Sequence, residues 1–170
     1  GKEAWQIFYE NKQGEKYSMP QVMEMDVNTA LQAAKDWKVV HQRLEVLENL
    51  GLGYLTLGEE TPSLSGGEAQ RLKLASEMGK GQEDSVFVFD EPTIGLHPLD
   101  VKNLLGVFQA LVSSGATVLV IEHDLDVIRN ADYIIDMGPG GGEDGGRIVA
   151  VGTPEEIAEN ENSITGKYIR

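Results

Sequence analysis

Two short, almost wholly apolar runs separated by a helical stretch restrict the fold more than any other feature. Val86-Phe87-Val88-Phe89 is a continuous apolar run of strand length, the mark of a strand buried on both faces. Thr117 to Ile121 repeats the pattern, and Tyr133 to Met137 reads as a third strand. Between the first two, Pro98 to Val112 is patterned as a helix. Pro98 suits a first helical turn and Gly115 a break. Alternation of strand and helix over residues 85–137 predicts an α/β fold with a parallel sheet and right-handed crossovers. Asp124 to Arg129 predicts a short helix, Arg147 to Val151 a last strand and Pro154 to Glu159 a last short helix. Residues 138–146 are too rich in glycine for regular structure.

The first half has another texture. Residues 4–18 mix Trp5, Phe8, Tyr9 and Tyr17 with charges and read as a β-hairpin or irregular arm. From Asn28 the pattern turns helical, through Leu31, Ala34, Trp37, Val40, Leu44 and Leu47, with Asn28 or Thr29 as cap. Gly51 and Gly53 end that stretch near Leu50. Residues 55–64, with Gly58, Pro62 and Ser63, read as a loop. A helix from Gly66 to about Met78 follows, closed by Gly79 and Gly81.

At 170 residues, 41% apolar and 25% charged, the chain is long enough for one soluble domain with a core. It opens on Gly rather than Met, so it is expected to be a piece of something longer. No apolar run approaches the roughly 18 residues of a membrane span, and no secretory signal is present. Cysteine is absent, which excludes a disulfide framework and a cysteine zinc site within these residues. Net charge is −14, from 28 acidic and 14 basic residues. Lys and Arg carry phosphate-backbone contacts, so any DNA grip is expected mostly outside this chain.

Three places carry chemistry. Leu64-Ser65-Gly66-Gly67-Glu68 reads first as a capping box, Ser65 capping and Glu68 reaching back. That does not account for two glycines, each costing about 1 kcal/mol against Ala inside a helix. Glycine in a first turn lets something approach the backbone, and a helix start attracts anions. Asp90-Glu91-Pro92 closes the first apolar run. Ligands of open α/β sheets bind beyond the carboxyl ends of strands. Asp90 there suits Mg²⁺, and Glu91 suits orienting and deprotonating a water; a strand ending at a polar surface looks the same. The second run ends in Glu122-His123-Asp124. If the strands are parallel, His123 emerges at the same edge, where it can donate to a phosphate; a surface histidine beside a helix cap is the plainer alternative.

The order and spacing of these places, with Gly95-Leu96-His97 between the last two, resemble the back half of an ABC-type ATPase domain. Ser65, Gly66, Gly67 and Glu68 resemble its signature motif. Asp90 and Glu91 resemble Walker B, Gly95, Leu96 and His97 the D-loop, and His123 the switch histidine. No G-x-x-x-x-G-K-[ST] loop is present, so half of the nucleotide chemistry is missing. Within the ABC class the chain is most similar to the UvrA family. Leu64–Ala75, Gly51-Leu52-Gly53-Tyr54, Asp90–His97, Ile121–Asp126, Asp136-Met137-Gly138-Pro139, the glycine cluster 140–146 and Ser163-Ile164-Thr165-Gly166 all look like that family. The resemblance covers nearly the whole chain and is weakest over residues 1–25. Ile94, Asp124 and Glu59-Glu60 depart from the usual pattern without removing a catalytic group.

The resemblance implies a partial P-loop NTPase domain with a parallel sheet core and a helical signature subdomain. Residues 1–84 would hold the signature helix and an N-terminal arm, and residues 85–170 the Walker B and switch-histidine half. It implies ATP and Mg²⁺ as cofactors, with Asp90 as the Mg²⁺ ligand and Glu91 and His123 as catalytic groups. Ser65, Gly66, Gly67 and Glu68 would close on ATP held by another ABC domain. Zn²⁺ would lie only in the full-length protein. The implied role is nucleotide excision repair in the cytoplasm, with damaged DNA, UvrB and a second copy as partners and no membrane. The chain alone, lacking the P-loop, is expected not to hydrolyse ATP. A UvrA-like paralogue outside repair and an ABC transporter subunit are the rival readings; Gly95-Leu96-His97 and the glycine cluster speak against the transporter.

Overall fold

The aromatic, charged start folds into a hairpin. β1 (Phe8–Glu10) pairs antiparallel with β2 (Lys16–Ser18), with Tyr9 opposite Tyr17. A short helix that the sequence reading missed, α1 (Met19–Glu24), follows directly. Ser18 and Gln21 cap it reciprocally, and a proline lies in its first turn. The computed structural model describes residues 2–78, 83–140 and 145–170. Gly79, Gly81 and the middle of the glycine cluster therefore lie outside the described residues.

The single helix expected from Asn28 is two. α2 (Val27–Ala33) is capped by Asp26, not by Asn28 or Thr29; the Asp26 carboxylate accepts the Thr29 N–H at 2.6 Å. Loop carbonyls set this start, because Val27 and Asn28 donate to Leu55 and Gly53. The hairpin sets the break. Asp36 accepts the Lys12 N–H at 2.9 Å, and Trp37, at φ −100° and ψ 81°, stacks on Tyr9. α3 (Lys38–Asn49) then resumes and ends at Gly51, whose φ of +73° only glycine takes without strain. Residues 55–64 are mostly loop, with one 3-10 turn at Thr61–Ser63.

α4 (Gly66–Glu77) occupies the expected span. β3 (Val86–Asp90), α5 (Pro98–Ser113) and β4 (Thr117–Ile121) follow as a strand–helix–strand crossover, and β3 and β4 are neighbours in a small parallel sheet. The core beneath it joins Leu50, Leu52, Leu74, Phe89, Leu104, Phe108 and Leu111, with Phe89 tilted on Phe108 at 4.9 Å. A second cluster, Val27, Ala30, Leu31, Ala34 and Leu44, joins α2 to α3. Burial on both faces does not hold for the apolar runs. Phe89 is buried, but Val86 and Val88 are 66% and 60% exposed and Leu119 is exposed too. Among the described residues only one face of this two-stranded sheet is covered, so burial alternates along sequences that do not.

Packing divides the chain into Gly1–Val120 and Ile121–Arg170. The second unit starts with α6 (Leu125–Arg129), capped by Asp124 as expected. The third strand is β5 (Ile134–Gly138). It pairs antiparallel with β6 (Arg147–Gly152), with a register shift after Asp136. α7 (Pro154–Glu159) and α8 (Ile164–Ile169), the latter missed in the sequence, complete it. Its core is Ile134, Ala150 and Ile157, with Ile128, Ala131 and Ile169 against them. No helix among the described residues is long and apolar enough to cross a membrane.

Candidate functional site

The first turn of α4 is built as the capping box implies. Ser65 Oγ accepts the Glu68 N–H at 3.3 Å, and Glu68 Oε2 accepts the Ser65 N–H at 2.7 Å. The N–H groups of Gly66 and Gly67 belong to the first turn, where a helix offers no internal acceptor. The two glycines differ. A Cβ on Gly66 would meet nothing within 4 Å, whereas one on Gly67 would lie 3.0 Å from Arg71 Nη1 and 3.4 Å from the Ile94 carbonyl. Gly66 thus faces open space, as an approaching anion requires. Gly67 makes room for a neighbour in its own domain.

That neighbour was not singled out in the sequence. Arg71 is 1% exposed, and its Nη1 donates to the Pro92 carbonyl at 2.8 Å. Its Nε is buried without a partner among the described residues. Burial pushes its pKa down, opposed by the Tyr54 hydroxyl and the carboxylates of Glu68 and Asp100. Removing a guanidinium from water costs several kcal/mol, so this position is structurally committed. Tyr54 donates in turn to Glu68, which with the Ser65 N–H holds the Glu68 carboxyl below its ordinary pKa. A sequence signal for Arg71 existed. It stands four residues after Gly67, on the same helix face, where a missing side chain leaves room for a guanidinium.

Asp90 is the last residue of β3 and is exposed. Gln70, on α4, grips its backbone from both sides: Nε2 donates to the Asp90 carbonyl at 2.7 Å, and the Asp90 N–H donates to Oε1 at 2.9 Å. Glu91 takes φ +46°, a left-handed conformation uncommon outside glycine. Its carbonyl accepts the Ile94 N–H at 3.2 Å, closing a turn. Gly95, at φ +77°, and Leu96 follow, and His97 begins α5, its N–H on Asp100 Oδ2 at 3.4 Å. Leu96 packs where a Gly51 side chain would stand, 2.7 Å from its Cβ position. Within the first unit α4 thus meets the β3 tip and the turn after it: Gln70 holds Asp90, Arg71 holds Pro92, and Gly67 lies close to the Ile94 carbonyl, one residue before Gly95. His123 is exposed, two residues beyond β4, with its N–H on Glu122 Oε2 at 2.9 Å.

No cluster of three or more His, Cys, Asp or Glu suited to a metal occurs among the described residues. Mg²⁺ is commonly held by only one or two carboxylates together with phosphates and waters, and the exposed Asp90 tip fits that use. The open space at Gly66, at the start of a 12-residue helix, fits a phosphate.

Comparison with protein-family models gave no match. Among curated proteins, UvrABC system protein A of Aquifex aeolicus (strain VF5) is 51% identical over 170 residues, 99% of this chain and 18% of that protein. The protein of the same name from Staphylococcus aureus (strain COL) is 48% identical over 170 residues, 99% of this chain and 17% of that protein. Of solved structures, UvrA2 from Deinococcus radiodurans matches with a TM-score of 0.83 at 41% identity, covering 100% of this chain and 20% of that one. The chain spans less than a fifth of the length of the curated relatives it matches. With this identity sustained from end to end and the backbone shared, the chain belongs to the UvrA family.

Proposed function

We propose that the chain is the C-terminal part of the second ABC ATPase domain of a UvrA-type protein, working in nucleotide excision repair. The observation that carries this is similarity to UvrABC system protein A along 99% of the chain. In this reading residues 1–84 serve as the signature subdomain and residues 85–170 as the Walker B and switch-histidine half. The first turn of α4, with Ser65, Gly66, Gly67 and Glu68, closes on the phosphates of ATP held by another ABC domain. The free first-turn N–H groups and the helix dipole supply the attraction. Asp90, Glu91 and His123 serve the ATP of their own domain, and Gly95, Leu96 and His97 form the D-loop.

Mg²⁺, when bound, neutralises charge on the phosphates. Asp90 holds that ion at the strand tip, and Glu91 orients a water and accepts its proton. His123 donates a hydrogen bond to the terminal phosphate oxygen. These 170 residues contain no P-loop, so the chain by itself is inactive in this reading. The full-length protein acts as a homodimer, meets damaged DNA mostly through other parts, loads UvrB, carries Zn²⁺ outside these residues and works in the cytoplasm.

The test is Glu91→Gln in the longer protein. Loss of the proton acceptor should cut ATP hydrolysis about 10²–10⁴-fold while nucleotide binding persists. Hydrolysis at the wild-type rate would remove Glu91 from the mechanism.

A further inference from the structure

Glu91 lies between two residues that α4 holds from outside. On one side, Gln70 pairs with both backbone groups of Asp90, at 2.7 and 2.9 Å. A side-chain amide bound this way imitates a neighbouring peptide and adds one rung to the edge of β3. One hydrogen bond can swivel; two parallel bonds fix the plane of the peptide. On the other side, Arg71 donates to the Pro92 carbonyl at 2.8 Å from a position 1% exposed. A cation already stripped of water has no cheap alternative partner, so this bond resists displacement. Pro92 is itself among the fully buried side chains. Between these fixed points Glu91 takes φ +46°. A conformation of this kind in a non-glycine residue persists only where its surroundings over-determine it, and the two clamps do so.

We propose that Gln70 and Arg71 are positioning residues that hold Glu91 in its left-handed conformation and so aim its carboxylate. The inference rests on the role proposed above for Glu91. It has a mechanical consequence. Gln70 and Arg71 stand one turn inside the helix whose start faces a nucleotide on another domain. Movement of that helix start is therefore transmitted to Glu91 through the paired bonds of Gln70 and the buried single bond of Arg71. Arg71 also fixes Gly67, since any side chain there would displace Nη1.

The experiment uses the full-length UvrA-family protein carrying this segment, with Gln70→Ala as the main variant because Gln70 is only half-buried. Amide exchange of Asp90, whose N–H Gln70 accepts, should speed up about tenfold or more. The kcat for ATP should fall about 10–100-fold, as misplacement of a catalytic group does, with KM within about twofold. In a Glu91→Gln background Gln70→Ala should add almost nothing to the rate loss, because the group it positions is already gone. Arg71→Lys, which keeps charge and a donor, should keep more activity than Arg71→Met. Unchanged exchange at Asp90, an unchanged kcat or an additive double mutant would each overturn the proposal. If the wild-type protein hydrolysed no ATP, the functional reading would fail instead, and exchange at Asp90 would still decide whether Gln70 holds the strand tip.

Discussion

Asp90 and Asp136 have similar neighbours in sequence, each following apolar strand residues and preceding a proline by two or three positions, but the structure uses them in opposite ways. At the tip of β3 the protein grips the backbone of Asp90 and leaves its carboxylate exposed. In β5 the Asp136 carboxylate is buried and consumed. It accepts from Ser163 Oγ at 2.5 Å and Thr165 Oγ1 at 2.9 Å, and Ser163, fully buried, caps α8 through the Gly166 N–H. There is no room for change at that cap, since a Cβ on Gly166 would lie 2.1 Å from the Ile157 carbonyl. A strand-borne aspartate is thus available for ligand chemistry only if nothing in the fold has already satisfied it.

The largest expected effect tests this contrast directly. Asp136→Asn should lower the stability of the chain by about 2 kcal/mol, the value of hydrogen bonds to a buried charged acceptor. Asp90→Asn should change it by less than about 0.5 kcal/mol, as exposed substitutions do. Urea unfolding midpoints check both, and equal losses would erase the distinction between the two strands.

A smaller effect sharpens the account of the β3 tip. Glu91 pays for its left-handed backbone, at roughly 1–2 kcal/mol for a residue with a Cβ, and glycine would remove that strain while costing about 0.5–1 kcal/mol in chain entropy. Relief of that strain should offset part of what the lost side chain contributes, so Glu91→Gly should destabilise the chain less than Asp136→Gly. Equal losses for the two glycine variants in the same urea measurement would mean that the left-handed backbone at Glu91 carries no strain for glycine to relieve.

The smallest effect is a pH dependence at the start of α4. Hydrogen bonds from the Tyr54 hydroxyl and then the Ser65 N–H hold the folded Glu68 pKa below its unfolded value, ordinarily about 4.3. The sign follows from linkage: this stabilisation is complete above the unfolded pKa and is lost as pH falls through the folded one. Tyr54→Phe removes the leading cause. Its stability should then fall less than wild type on acidification from pH 6 towards about pH 3, measured as the unfolding midpoint against pH. Parallel curves would show that Tyr54 does not act on Glu68.

Several elements could be read from the residues because their causes are local. Ser65 and Glu68 form their capping box from neighbours three apart, Gly51 ends α3 by its own φ, and Pro98 and Gly115 bracket α5. The helix break at Asp36–Trp37 could not be read, because it depends on Lys12 and Tyr9 in the hairpin. Nor could the antiparallel pairing of β5 with β6, because a short apolar strand pairs as well in either direction until its partner supplies the register.

By itself the sequence determined the strand–helix–strand unit, the family resemblance and the residues that bear the candidate chemistry, because periodicity, caps and motif spacing are properties of adjacent residues. Only the tertiary structure decided that Gly66 is open and Gly67 is not. It alone decided that Asp90 is free for a ligand while Asp136 is spent, and that Gln70 and Arg71 reach across to the strand tip. Those outcomes depend on which polar groups meet across the fold, and hydrogen bonds and desolvation act over a few ångströms of space whatever the distance along the chain.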